Sequence, residues 1–173
     1  MHWYIIFVRV GREHKVVQFL KKTLDIDAFR PFILFQEVIF KTAGVVKREL
    51  KPLFPGYVFI ESHIIENEFI KKTRNIFYSF EDIIFLLRYS DDEFALKESE
   101  KQVLINLCND GNCIKLSRGI IFGDKMHITD GPLKGYESKV RSINRHKREA
   151  NVEIEIMGDT QLVSVALEIV KKI

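Results

Sequence analysis

Cysteine is scarce in this chain: only Cys108 and Cys113 occur, in the stretch CNDGNC. A zinc site takes four ligands, usually as two closely spaced pairs. A second pair is missing and the nearest downstream histidine is His127, so no metal is expected. Two reduced thiols flanking a turn is the reading that suits a cytosol. Long apolar runs are missing too. No window holds 18 consecutive apolar residues, so no membrane-spanning helix is expected. The opening MHWYIIFVRV lacks a basic leader and a small-residue cleavage site, which argues against a signal peptide. The cytosol is the expected compartment. The glycines also lack the spacings that bind nucleotides. A phosphate loop needs G-x-x-x-x-G-K-[ST] between strand and helix. Here Gly131 and Gly135 are four apart, and Tyr136 follows Gly135. The G-x-G-x-x-G dinucleotide fingerprint is absent. Ser117, His127 and His146 have no evident catalytic partners, so neither an enzyme nor a cofactor is expected.

What is present is enough apolar material for a core. Of the 173 residues, 46% are hydrophobic and 12% aromatic, which argues against wholesale disorder. The net charge is +3, compatible with nucleic-acid binding without demanding it. Its distribution is more telling. Residues 134–148 hold Lys134, Lys139, Arg141, Arg145, Lys147 and Arg148 against Glu137 alone, whereas 81–93 lean acidic.

The N-terminal part reads as an α+β domain. WYIIFVRV (3–10) has the look of a buried central strand. From Arg12 to Leu24, Val16, Val17, Leu20 and Leu24 recur at helical spacing. Residues 29–40 read as one strand, TAG (42–44) as a turn, VVKREL as a returning hairpin arm and YVFI (57–60) as a strand. Ser62 offers a cap for a helix over roughly 63–74, with Ile64, Ile65, Phe69 and Ile70 inward. IFYSF and IIFLLRY suggest short strands, and 99–108 a third helix ended by Asn109-Asp110-Gly111. From about residue 119 the helical period vanishes. Short alternating strands follow, among them KMHIT, YESKVRSI, NVEIEIM and LVSVALEIV, the pattern of a small barrel. In GDKMHITDGPLKGYESKV (123–140), Asp130-Gly131 offers a left-handed position and Pro132 fixes the next φ.

On these residues the chain resembles the NusG-type transcription elongation factors. Residues 123–140 resemble a KOW motif. Trp3-Tyr4, LFPGYVFIE (53–61) and Thr73-Arg74 resemble the family's N-terminal (NGN) domain. Ser138 departs from the pattern, since many KOW motifs carry glycine there. The resemblance implies an NGN domain over 1–108, with an antiparallel sheet and flanking helices; a linker over 109–118; and an SH3-like KOW barrel over 119–173. It implies a monomer that binds the clamp helices of RNA polymerase through an apolar patch and suppresses pausing by favouring one polymerase conformation. Carried over by position, the patch includes Phe7, Phe54, Pro55 and Tyr57. Glu66 to Phe69 fall where related factors touch the opposite jaw of the cleft. Arg12, His14 and Lys15 fall where some touch nontemplate DNA, although a solvated helix face is the simpler explanation. The crowding of Arg141, Asn144, Arg145, His146, Lys147 and Arg148 on one apparent hairpin, with Lys134 and Lys139 nearby, resembles the specialised LoaP branch. These antiterminators of long operons recognise a nascent RNA hairpin. The alternatives are a general factor whose barrel binds a termination helicase or ribosomal protein, and a translation protein with a KOW barrel. The helical C-terminal state of the RfaH branch is not expected, because NVEIEI and LVSVAL alternate as strands do.

Overall fold

A computed structural model describes residues 1–173. The elements run β1 (His2–Val8), α1 (Glu13–Thr23), β2 (Phe29–Phe32), β3 (Phe35–Thr42), β4 (Val45–Pro52), β5 (Tyr57–Ser62), α2 (Glu66–Tyr78), β6 (Ile83–Leu86), α3 (Glu98–Leu107), β7 (Cys113–Ile114), β8 (Ser117–Phe122), β9 (Lys125–Asp130), a 3-10 turn (Glu137–Lys139), β10 (Val140–Asn144), β11 (Glu149–Ile156) and β12 (Asp159–Lys172). They form two compact units: Met1–Leu34 with Phe54–Lys101, and Phe35–Leu53 with Gln102–Ile173.

The first unit is built on an antiparallel sheet of order β2-β5-β1-β6. β1 is paired on both edges, and Trp3, Tyr4, Ile5, Ile6 and Val8 are all buried, as its β-branched and aromatic run requires. Val16, Val17 and Leu20 of α1 are buried, and the helix packs on β2 and β5. Tyr4 stacks on Phe69 of α2 at 3.6 Å between ring centroids, and its hydroxyl donates to the Ile64 carbonyl at 2.7 Å. A buried aromatic with a polar tip is satisfied in this way.

Several expected boundaries move. The apolar run 29–40 is two strands, because the chain leaves one sheet for another at Ile33-Leu34. Both residues are buried, so the apolar pattern does not register the switch. Ser62 does not cap α2. Its hydroxyl accepts from Ile64 N and donates to Ala28 O, and Ile65, at the N-cap position, is 63% exposed rather than core. IFYSF is the last turn of α2 and its end, not a strand. Phe77 keeps helical phase with Phe69, and their rings meet at 6.3 Å. YESKVRSI likewise contains the 3-10 turn before β10 begins at Val140.

In the second unit β3 and β4 form a ribbon whose turn, Ala43-Gly44, has φ of 50° and 80°. Two successive positive φ values suit a tight hairpin. The stretch 109–118, expected to be a linker, is tied down instead. β7 pairs in parallel with Phe35 and Gln36, Phe35 N donates to Asn112 O, and Leu116 N donates to the Glu37 carboxylate at 3.0 Å. The remaining strands form a sheet of order β10-β11-β12-β8-β9. β11 alternates between buried and more open positions along its whole length, as a half-buried strand does. The edge strands β9 and β10 line opposite sides of one open groove of about 460 Å³. The sheet therefore curls toward a barrel, with no hydrogen bonds pairing its two edges. Both NVEIEI and LVSVAL are strands, as their alternation requires.

Candidate functional site

The first unit carries a row of aromatic rings across three strands. Phe7 of β1 lies opposite Tyr57 of β5 and opposite Phe85 of β6. Directly opposed residues share a face of the sheet, so the three rings stand side by side. Phe7 meets Tyr57 edge-on at 6.0 Å and Phe85 at 5.5 Å. Phe7 and Tyr57 are half-buried, and Phe85 is 51% exposed. Pro55 is exposed at the end of the row. Phe54 is not part of the surface. It is 2% exposed and stacks on Tyr57 at 5.7 Å, so it supports the row from within.

The Pro55-Gly56 turn that shapes this row is held by the backbone. Gly56 has φ +84, and a Cβ there would lie 2.7 Å from Phe7 Cε2 and 3.0 Å from Val8 O. Glycine is required for both reasons. Val8 N donates to Gly56 O at 2.7 Å, and Gly56 N donates to Glu13 Oε1 at 2.7 Å. Glu13, in the first turn of α1, is only 3% exposed. A buried carboxylate is tolerated when hydrogen-bonded, and this one holds the turn against β1.

Near the start of α1, Arg12, His14 and Lys15 are exposed. Lys15 Nζ is 3.3 Å from Oδ2 of the buried Asp82 and Arg9 Nε is 3.9 Å from Oδ1. Lys15 therefore has a structural partner, which weakens any case for it as a free phosphate contact. Glu66 is also engaged: its carboxylate accepts from Phe94 N and Ala95 N. Phe69 is core.

In the second unit β10 and β11 form the expected basic hairpin, with its turn at 145–148 and Arg148 at φ 53. The cations expected to act together fall into two groups. Arg141 pairs with Glu153 at 2.7 Å, and Arg148 with Glu168 at 3.7 Å. The Glu153 carboxylate, hydrogen-bonded to Arg141, is held below its usual pKa, while its partner's guanidinium is raised. Lys134, Lys139, Arg145, His146 and Lys147 are exposed and form no ion pair. Asn144 Oδ1 accepts from Lys147 N at 3.0 Å and so shapes the turn.

The glycine stretch serves as turns. Gly131 has φ +100, and a Cβ there would lie 2.6 Å from Ser117 Cα and 2.8 Å from Leu116 O. Gly135 has φ +88 with open space around it. Among the site residues, Glu13 and Phe85 escape a reading of the sequence. Glu13 resembles any first-turn acid, and Phe85 lies inside an apolar run. No group of three or more His, Cys, Asp or Glu side chains gathers to hold a metal, and no helix is long and apolar enough to cross a membrane.

Comparison with known proteins matches residues 1–105 to the family described as transcription termination factor nusG. The transcription termination/antitermination protein NusG of Rickettsia felis is 24% identical over 178 residues, covering 98% of this chain and 89% of its own. Its namesake in Buchnera aphidicola is 24% identical over 183 residues, with 98% and 95% covered. A solved structure titled "Domain interaction in Thermotoga maritima NusG" shares the fold, with a TM-score of 0.52 at 20% identity, covering 97% of this chain and 93% of that one.

Proposed function

The chain belongs to the NusG family of transcription termination/antitermination factors, and from that premise we propose that it binds RNA polymerase and acts as a specialised antiterminator. In this reading residues 1–108 are the polymerase-binding domain. Phe7, Pro55, Tyr57 and Phe85 meet the clamp helices, and Phe54 supports Tyr57 from below. Residues 119–173 are the KOW domain, which contacts a hairpin in the nascent RNA through Lys134, Lys139 and the 145–148 turn. Arg141 and Arg148 brace the hairpin through Glu153 and Glu168. The action involves no bond chemistry. A factor that binds one polymerase conformation more tightly shifts the enzyme toward it, and here that conformation is the elongating one.

The observation that carries the reading is the register-matched row Tyr57-Phe7-Phe85. Three adjoining rings, two half-buried and one exposed, bury further area at small entropic cost when a partner covers them, which is how interface hot spots work. Tyr57→Ala and Phe85→Ala are each expected to weaken binding to purified core RNA polymerase about 30-fold or more. Circular dichroism checks that both variants remain folded. Unchanged affinity in both would overturn the assignment of the row. Crosslinking occupancy along transcribed genes tests the specialised role. Enrichment on a few long operons supports it; occupancy on nearly all transcribed genes makes the protein a general factor.

A further inference from the structure

We infer that the β3–β4 ribbon is a second RNA contact, which together with the 145–148 turn grips a double-stranded RNA stem. This rests on the reading of that turn as an RNA contact. β4 covers one edge of β3 along eight residues. The other edge pairs with β7 only at Phe35 and Gln36. Beyond that point a narrow cleft separates Gln36–Ile39 from Lys147–Glu149, Val165 and Ala166, and β3 packs on β12. The ribbon and the basic turn, about a hundred residues apart in sequence, therefore stand side by side within one compact unit.

The charges of this unit sort by pairing. Arg48 is held by Glu37 at 3.7 Å, as Arg141 and Arg148 are held by Glu153 and Glu168. Lys41, Lys47 and Lys51 on the ribbon are exposed and make no ion pair, like Arg145 and Lys147 on the turn. The three arginines are each paired with a carboxylate, and the unpaired cations are left for something else. Lys47 and Lys51 lie on one face of β4, roughly 13 Å apart at about 3.4 Å per residue; Glu49 between them offsets but does not cancel their charge. A double-stranded RNA stem presents phosphates and 2′-hydroxyls across a wide, shallow minor groove and is read at several separated points, mostly by shape. A single turn supplies one such point, and the ribbon beside it supplies the next. Edge-strand lysines also discourage strand-to-strand association. That role alone predicts a change in aggregation and none in RNA binding.

The test uses the full chain and an RNA hairpin with a stem of about 16 base pairs, a span that shape-reading proteins cover, with duplex DNA of the same sequence beside it. Binding is measured between low and moderate salt for wild type, Lys47→Ala/Lys51→Ala and Arg145→Ala/Lys147→Ala. Each lost phosphate contact lowers the slope of log K against log salt by about 0.9, so each double variant is expected to lose about 1.8. Both pairs are exposed, and thermal melts confirm that both variants fold. A reduced slope in both supports the two-point grip. A reduced slope for Arg145→Ala/Lys147→Ala alone overturns the ribbon contact and leaves the proposed function standing. No change in either overturns both. Duplex DNA bound as tightly as the RNA stem, with the same losses, overturns the assignment of RNA as the occupant.

Discussion

Removing the Glu13 carboxylate tests whether a buried contact shapes the exposed aromatic row. Glu13→Ala deletes the acceptor for Gly56 N and leaves that amide unpaired beneath the turn. A hydrogen bond to a charged group contributes about 1.5–3 kcal/mol, and a first-turn acid about 0.3–1 kcal/mol through the helix dipole. Relief of the buried carboxylate's desolvation offsets part of this. The expected net loss is about 2 kcal/mol, with about half of that for Glu13→Gln, which keeps a neutral acceptor. For a unit the size of the first, 2 kcal/mol corresponds to about 8–16 °C. Two compact units need a probe confined to one of them. The sole tryptophan, Trp3, lies in the first unit, packed edge-on against Phe32 and Phe59. Its fluorescence therefore reports the relevant transition. Polymerase affinity, corrected for folded fraction, should fall along the same order, wild type above Gln above Ala, because Pro55 and Tyr57 lose their seat. A Trp3 transition unmoved within 1 °C, or equal effects of Ala and Gln, would refute the claim that this carboxylate holds the turn.

Gly131→Ala places a methyl against the Ser117 and Leu116 backbone, which cannot step aside. A cost of about 3 kcal/mol or more is expected, from the left-handed φ plus overpacking. Gly135→Ala meets only the φ penalty, about 1–2 kcal/mol. Urea melts of the two variants should differ accordingly, and equal destabilisation would contradict the close approach at Gly131. Burial, with Glu66 adding to it, pushes the Tyr4 hydroxyl up to about 12. Between about pH 10 and 12 the native state holds this proton while the unfolded chain releases its own, so stability falls as pH rises. Tyr4→Phe should flatten that alkaline slope, with Tyr89, also raised, keeping some of it; an unchanged slope in denaturant midpoints against pH would contradict the assignment.

Local chemistry made much of this protein legible in its sequence. The run WYIIFVRV names a buried central strand because β-branched and aromatic side chains suit one, although the strand ends at Val8. The phase of Val16, Val17, Leu20 and Leu24 names the helix that covers the sheet. Asp130-Gly131-Pro132 names a turn and excludes a phosphate loop by spacing alone. The basic hairpin was visible as a cluster because its cations are neighbours in the chain. Tertiary structure decided the rest, since it depends on which distant residues meet. Register placed Phe85 beside Phe7 and Tyr57, and packing buried Phe54, although the three aromatics nearest Pro55 in sequence look alike. A hydrogen bond across 43 residues made Glu13 part of the turn that it supports. Ion pairs with Glu153 and Glu168 divided the basic residues into those with a carboxylate partner and those without one. The β3–β4 ribbon joined the second unit through its pairing with β7 and its packing on β12, contacts between segments tens of residues or more apart, which no local pattern encodes.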